Sequence, residues 1–254
     1  MKSKRLLLWV IGIVVCILLF VVLPFAYWMH PFAASSAAQT AMQNGGGVTV
    51  STRGDQIVFT PATPATTGLI FYPAARVPAE AYAVYMRTFA EHGYLAVVVN
   101  MPLDMALFGG DRASEVMAAH PAITHWAIGG QALGGVMALG FAVKTPQVKG
   151  LLLYGAYPDT DASHATSLAI TSIYGTQDAL ATPAKINSSK NLLPDTTRFV
   201  GVKGSVQGYF GDYGTQDGDG QPTVSRQQAQ SQIVAASLQL LQQISGNAST
   251  GSSL

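Results

Sequence analysis

Short apolar runs rich in β-branched residues recur along the chain at residues 47–52, 55–61, 67–73, 94–102, 124–130, 148–158, 167–178 and 197–205. From the third onward they are almost uninterrupted, as in "TGLIFYP" and "VKGLLLYGAYP". Strands covered on both faces of a parallel sheet read this way, because neither face meets water. Segments of helical pattern fill the gaps at 79–92, 111–120, 132–143, 183–193 and 223–244. In the last of these, Ile233, Val234, Leu238, Leu241 and Ile244 form an apolar stripe at helical period, with glutamines opposite. A meander followed by repeated strand–helix units predicts an α/β fold, with a mostly parallel central sheet flanked by helices.

The N-terminus follows a different pattern. Lys2, Lys4 and Arg5 precede an apolar stretch over 6–28 that holds no charge and has Trp9, Tyr27 and Trp28 near its ends. About 20 apolar residues suffice to cross a ~30 Å hydrocarbon core, so the stretch predicts one transmembrane helix. The apolar core of a cleaved signal peptide is shorter, roughly 7–15 residues, and is closely followed by a small-residue cleavage site. The basic flank, residues 1–5, points the N-terminus to the cytoplasm. The expected protein is therefore single-pass in the cell membrane, with its C-terminal domain extracytoplasmic. Residues 29–47, small, polar and ending in three glycines, predict a flexible tether, and 246–254 a flexible tail. One domain over 48–245 lies between them.

Composition narrows the partners. Apolar residues make up 49% and charged residues 11%, which supplies a core and argues against disorder. The net charge is +1, and three of the cations sit in the basic flank, so no basic patch points to nucleic acid. The only cysteine, Cys16, lies in the apolar stretch, leaving the domain without a thiol or a disulfide. No metal or cofactor is expected. Asp212, Asp217 and Asp219 lack the spacing of a calcium loop and read as a solvated turn.

Candidate chemistry begins at "IGGQALGGVMALG", residues 128–140, a strand running through a tight turn into a helix. Gly130-Gln131-Ala132-Leu133-Gly134 has the spacing of the G-x-S-x-G nucleophile elbow, with alanine in place of serine. Asp178 follows a later strand in "YGTQDALATP", and "KGSVQGYFGDYG" follows the last one. Nucleophile, acid and histidine, each after its own strand and in that order, is the α/β-hydrolase arrangement.

Together the blocks "LIFYPAARVPAEAY", "GGQALGG", "SIYGTQDALATPAKI" and "YFGDYG…DGDG…SRQQ" resemble a bacterial α/β-hydrolase family of the dienelactone-hydrolase-like type, over about residues 67–244. The resemblance implies an α/β-hydrolase fold and an ancestral serine hydrolase acting on an ester-like acyl bond. That family's elbow reads Gly-Gly-His-Ser-Leu-Gly-Gly; here Gln131 replaces the histidine and Ala132 the serine. The acid matches as Asp178, and Gln207 stands at the position of the catalytic histidine. The resemblance places the oxyanion donors at the Leu133 N–H and at Ala74 or Ala75, Ala74 standing where the family tends to have glycine.

Alanine cannot attack a carbonyl, and a glutamine amide cannot shuttle a proton near neutral pH. The degenerate triad Ala132, Asp178 and Gln207 thus predicts a catalytically inactive pseudohydrolase. Its pocket, around Leu133, Ala74, Ala75 and Gln131, would bind a small molecule, a glycan or a protein. The alternative is an active hydrolase on ester-like or acyl bonds with non-standard residues, such as His164 in the loop after 148–158, or an activated water. Ser205 reads as a turn residue.

Overall fold

Val48–Arg53 (β1) and Gln56–Pro61 (β2) form an antiparallel pair closed by a turn at Gly54, where φ is +60° and a side chain would be strained. They belong to the second of two units, 1–32 and 33–254, in a computed structural model that describes residues 2–23 and 30–246. Residues 24–28 of the expected membrane span and 247–254 of the expected tail lie outside the described residues.

In the first unit, Lys2–Ile17 (α1) is α-helical and Leu18–Val22 continues as π-helix, with the Leu23 N–H reaching back to Leu18 O. Among the described residues no helix is long and apolar enough to cross a membrane. The transmembrane helix expected over 6–28 is therefore not found. The regular hydrogen-bond ladder ends at Ile17, and the 16 residues of α1 rise only about 24 Å against a ~30 Å core. The apolar side chains from Trp9 to Leu23 are exposed, Trp9 at 71%.

In the second unit the sheet has eight strands in the order β1-β2-β4-β3-β5-β6-β7-β8. The remaining strands are Thr67–Tyr72 (β3), Leu95–Val99 (β4), His125–Gln131 (β5), Val148–Tyr154 (β6), Ala169–Gly175 (β7) and Arg198–Val202 (β8). β2 alone runs against the other seven strands, so its pairs with β1 and β4 are antiparallel and every other pair is parallel. Alternate residues of a strand face opposite sides. Ile70 and Tyr72 therefore join a core with Val97, Ile128 and Leu151, capped by Ala113–Ala119 (α4) and Leu133–Ala142 (α5). Leu69 and Phe71 face Ala83–Glu91 (α3) and Arg226–Ile244 (α7) across a second core. There Phe71, Tyr82, Tyr85, Tyr154 and Phe210 pack ring against ring with centroids 4.8–6.0 Å apart.

Two helical expectations shorten. Residues Ala79–Tyr82 form a 3₁₀ turn before α3, and Pro183–Ser188 (α6) gives way to a 3₁₀ turn at Lys190–Leu192. The last helix starts at Arg226 because Ser225 and Gln228 make a reciprocal capping box.

Residues 33–47 of the stretch expected as a tether belong to the second unit and pack against its sheet and helices. Ser36–Ala41 (α2) is capped by the Ser35 hydroxyl, and Ala38 is fully buried. Arg87 donates to the carbonyls of Ala41, Gln43 and Gly45, while Ala34 bridges to Tyr213 and the Ser35 N–H bonds Asp212 O at 2.8 Å. Small residues favour this docking as much as they favour flexibility, because an alanine helix can approach closely; tertiary contacts decide. The carboxyl ends of the parallel strands share one edge of the sheet, where sites form in such folds.

Candidate functional site

The elbow is intact as backbone. β5 ends at Gln131, α5 starts at Leu133, and Ala132 between them holds φ 48° and ψ −117°. A residue with a Cβ rarely adopts this conformation, which costs of order 1–3 kcal/mol. The turn is pinned from both sides: the Ala132 N–H donates to Tyr154 O at 3.0 Å, and the Ala132 carbonyl accepts from Val136. A side chain on Gly134 would collide with the carbonyls of Tyr72 and Pro73, so glycine there lets α5 pack against the end of β3.

Above the elbow lies a cleft of about 450 Å³. Ala132, Leu133 and Val136 line one side, and Ala156, Leu180 and Ala181 add apolar wall. Gln207 and Gln216 bring amides to it, and Asp159 and Tyr157 stand at its exposed part. The side chains lining it include no serine, threonine, cysteine, histidine or lysine. The N–H of Leu133 belongs to the first turn of α5 and has no partner within the helix.

Gln207 is 2% exposed. Its Nε2 donates to Gly155 O at 3.1 Å and its main-chain N–H to Asp219 Oδ1 at 3.1 Å. Asp219 also accepts from Gly208 and Gly220, at 2.7 Å each. The aspartates expected in a solvated turn therefore include one that holds the loop of the cleft wall in place, and Asp212 is buried as well. Gln207 Oε1 is buried and has no hydrogen-bond partner.

Asp178 sits behind the wall rather than in it. Its Oδ1 accepts from the Leu180 and Ala181 N–H groups at 2.8 Å each, and its Oδ2 is buried without a partner. Burial pushes its carboxyl up to about 6, with Asp219 adding to the rise and the two N–H bonds and Lys185 opposing it. No hydrogen bond joins Asp178 to Gln207. The acid and histidine positions are thus uncoupled.

Gln131 is not a pocket residue. Fully buried, it donates from Nε2 to Gln207 O and to the Tyr213 hydroxyl, 2.9 Å each, and accepts from the Tyr82 hydroxyl at 2.8 Å. Tyr82 in turn accepts from the Ala74 N–H at 2.9 Å. Burial keeps Tyr82 and Tyr213 protonated far above neutral pH, so both remain hydroxyls. The expected oxyanion donor at Ala74 is committed to this network, and neither Ala74 nor Ala75 lines the cleft. Leu133 is left as the main-chain donor of the elbow.

The other candidates stand elsewhere. His164 is exposed and is not part of the cleft, and Ser205 is buried with its hydroxyl on Val206 O at 3.4 Å. Among the described residues no group of three or more His, Cys, Asp or Glu could hold a metal. The sequence reading took Asp219 for part of a solvated turn and assigned no role to Tyr82, Tyr213 or Gln216, whose side chains meet the site only through the fold.

Strand order, elbow and cleft agree with a sequence comparison: the model of a family described as "Alpha/beta hydrolase family" matches residues 68–231. The chain belongs to the alpha/beta hydrolase family. Solved alpha/beta hydrolases share its fold at low identity. One is a predicted CIB-like hydrolase from Thermoplasma acidophilum, 13% identical, with TM-score 0.51 over 63% of this chain and 90% of that one. Another, an alpha/beta hydrolase enzyme from the metagenome of sediments of the Mar Chica lagoon in Morocco, is 15% identical, with the same TM-score and coverage. No curated protein matches the chain in sequence.

Proposed function

We propose that this alpha/beta hydrolase family member is a pseudohydrolase whose cleft binds a small molecule without covalent chemistry. One observation carries the reading. The elbow keeps its strained turn and still faces a cleft, but Ala132 presents a methyl group where the family's attacking atom would be. Gln207 cannot act as a base and makes no bond to Asp178. A cleft of about 450 Å³ suits one small molecule and is too small for a protein segment of any length. The alternative, hydrolysis through non-standard residues, has only Asp159 and Tyr157 as titratable side chains lining the cleft. We also assign the exposed apolar side chains from Trp9 to Leu23 to contact with a membrane, because no charge interrupts them.

The test is esterase turnover and fluorophosphonate labelling of the purified full chain in detergent. The expected result is neither ester turnover nor labelling. The double variant Ala132→Ser with Gln207→His is expected to label, since it restores a nucleophile and a base on an intact turn. Ester turnover by the unaltered chain that is lost on Asp159→Asn would overturn the reading in favour of water activation.

A further inference from the structure

We infer that residues 103–108 are a second point at which this chain meets a phospholipid bilayer, seating the carboxyl edge of the sheet on the lipid surface. The inference rests on the membrane contact proposed for residues 9–23 and adds a surface of the folded domain to it.

The domain covers its large apolar side chains well except in one loop. From residue 30 onward, the exposed ones among the described residues are Leu103, Leu107, Phe108, Val143 and Tyr157. The three most exposed, at 71%, 57% and 56%, fall within six consecutive positions of the loop after β4. Such a concentration on an otherwise sealed surface marks a contact with protein or lipid. Slack in the loop does not account for it. Leu103 and Asp104 hold φ of 55° and 50°, a left-handed pair that residues with a Cβ rarely adopt. The Arg76 N–H donates to Asp104 O at 2.8 Å, the Tyr72 hydroxyl donates to Gly110 O at 2.7 Å, and Ala106 is fully buried. The turn is fastened to the domain while its two leucines and its phenylalanine stay in solvent.

Connectivity and charge favour lipid as the occupant. The loop leaves β4 at the carboxyl edge of the parallel strands. The chain enters the domain at the same edge: Ala34 bridges to Tyr213, whose hydroxyl meets Gln131 at the end of β5. Ten residue steps separate Leu23, the last of the exposed apolar series, from Ala33, and they reach at most about 35 Å in any conformation. A bilayer that holds residues 9–23 is therefore always close to this edge, whereas a soluble partner must be captured from solution. Glu80, Asp104 and Asp111 beside the loop outnumber Arg76, and Arg112 is paired with Asp55. Apolar insertion, not attraction to anionic headgroups, carries the contact, so the surface is a zwitterionic bilayer. Three side chains orient a domain already tethered but do not anchor it alone.

The experiment reconstitutes the full chain, with Cys16→Ser, into phosphatidylcholine vesicles. It carries one environment-sensitive fluorophore, at Leu107→Cys or at Ala122→Cys. Ala122 is exposed in the turn before β5, at the opposite edge of the sheet. Phosphatidylcholine with a nitroxide near the top of its acyl chain serves as the quencher. The label at 107 is expected to be blue-shifted and quenched at least about twofold, as for a group about 5–10 Å into the headgroup–acyl boundary. The label at 122 is expected to behave as in water. Because the dye is itself apolar, the measurement at 107 is repeated with Leu103→Asp and Phe108→Asp, both at exposed positions, and the quenching is expected to disappear. Quenching that survives the two aspartates, or a blue shift without quenching, which is the mark of a protein contact, would overturn the inference. A chain that floats with the vesicles but is quenched equally at 107 and 122 overturns it alone. A chain that fails to float overturns it together with the membrane contact of residues 9–23.

Discussion

Asp178 has a cost at neutral pH that its position makes calculable. Its folded pKa is raised from 3.8 to about 6, chiefly by burial. The stability it contributes is therefore fully present below about pH 4 and is lost as pH rises to about 6; above that, the buried carboxylate opposes folding. Asp178→Asn cannot ionise, and its side-chain oxygen can still accept from Leu180 and Ala181. Urea unfolding should show the variant more stable by about 2 kcal/mol at pH 7, with little difference at pH 4. Equal destabilisation at both pH values would contradict the assignment. At this scale the sequence is informative about identity and silent about pairing. The glycine spacing makes the turn at Ala132 legible, because only that backbone needs glycine at 130 and 134. The isolation of Asp178 and the buried hydrogen bonds of Gln131 depend on groups 49–82 positions away in the chain for Gln131, and no local pattern encodes them.

At the scale of elements, strands were easier to read than helix ends. β3 to β7 are buried on both faces, so each appears as an apolar run that water-facing segments cannot imitate. Helix ends are set by capping and by 3₁₀ turns, whose side-chain bonds leave a fainter trace. α2 shows the limit of pattern reading. Its six residues, SAAQTA, have no apolar stripe and too little length to be helical alone. Arg87 and the burial of Ala38 hold it. Arg87→Met keeps the aliphatic stem but removes the donors to Ala41, Gln43 and Gly45. Hydrogen exchange over 33–47 should then accelerate by about tenfold or more while the sheet keeps its protection, in line with loss of one to two net hydrogen bonds. Unchanged exchange would mean that α2 is held by packing alone.

For the molecule as a whole, the sequence order of the blocks is enough to anticipate a mostly parallel sheet, since repeated strand–helix units have few other solutions. The N-terminal unit is less determined. Its composition predicts a span, yet the α-helix gives way to a π-helix at Leu18. A hydrophobicity count cannot detect such a change of hydrogen-bond pattern. The membrane contact proposed above rests on exposed apolar surface alone, and on that proposal the full chain is expected to stay in the membrane fraction after an alkaline carbonate wash and to enter solution with detergent. Deletion of 9–23 should release it. Recovery of the intact chain in the soluble fraction without detergent would refute that assignment.

The docking of residues 33–35 also has a mechanical meaning. Chain tension arriving from the N-terminal side enters the domain through the bridge of Ala34 to Tyr213 and the bond of Ser35 to Asp212. Tyr213 passes the load to Gln131 at the root of the elbow and to Gln216 on the cleft wall. The cleft wall thus shares one hydrogen-bonded path with the segment by which the chain enters the domain.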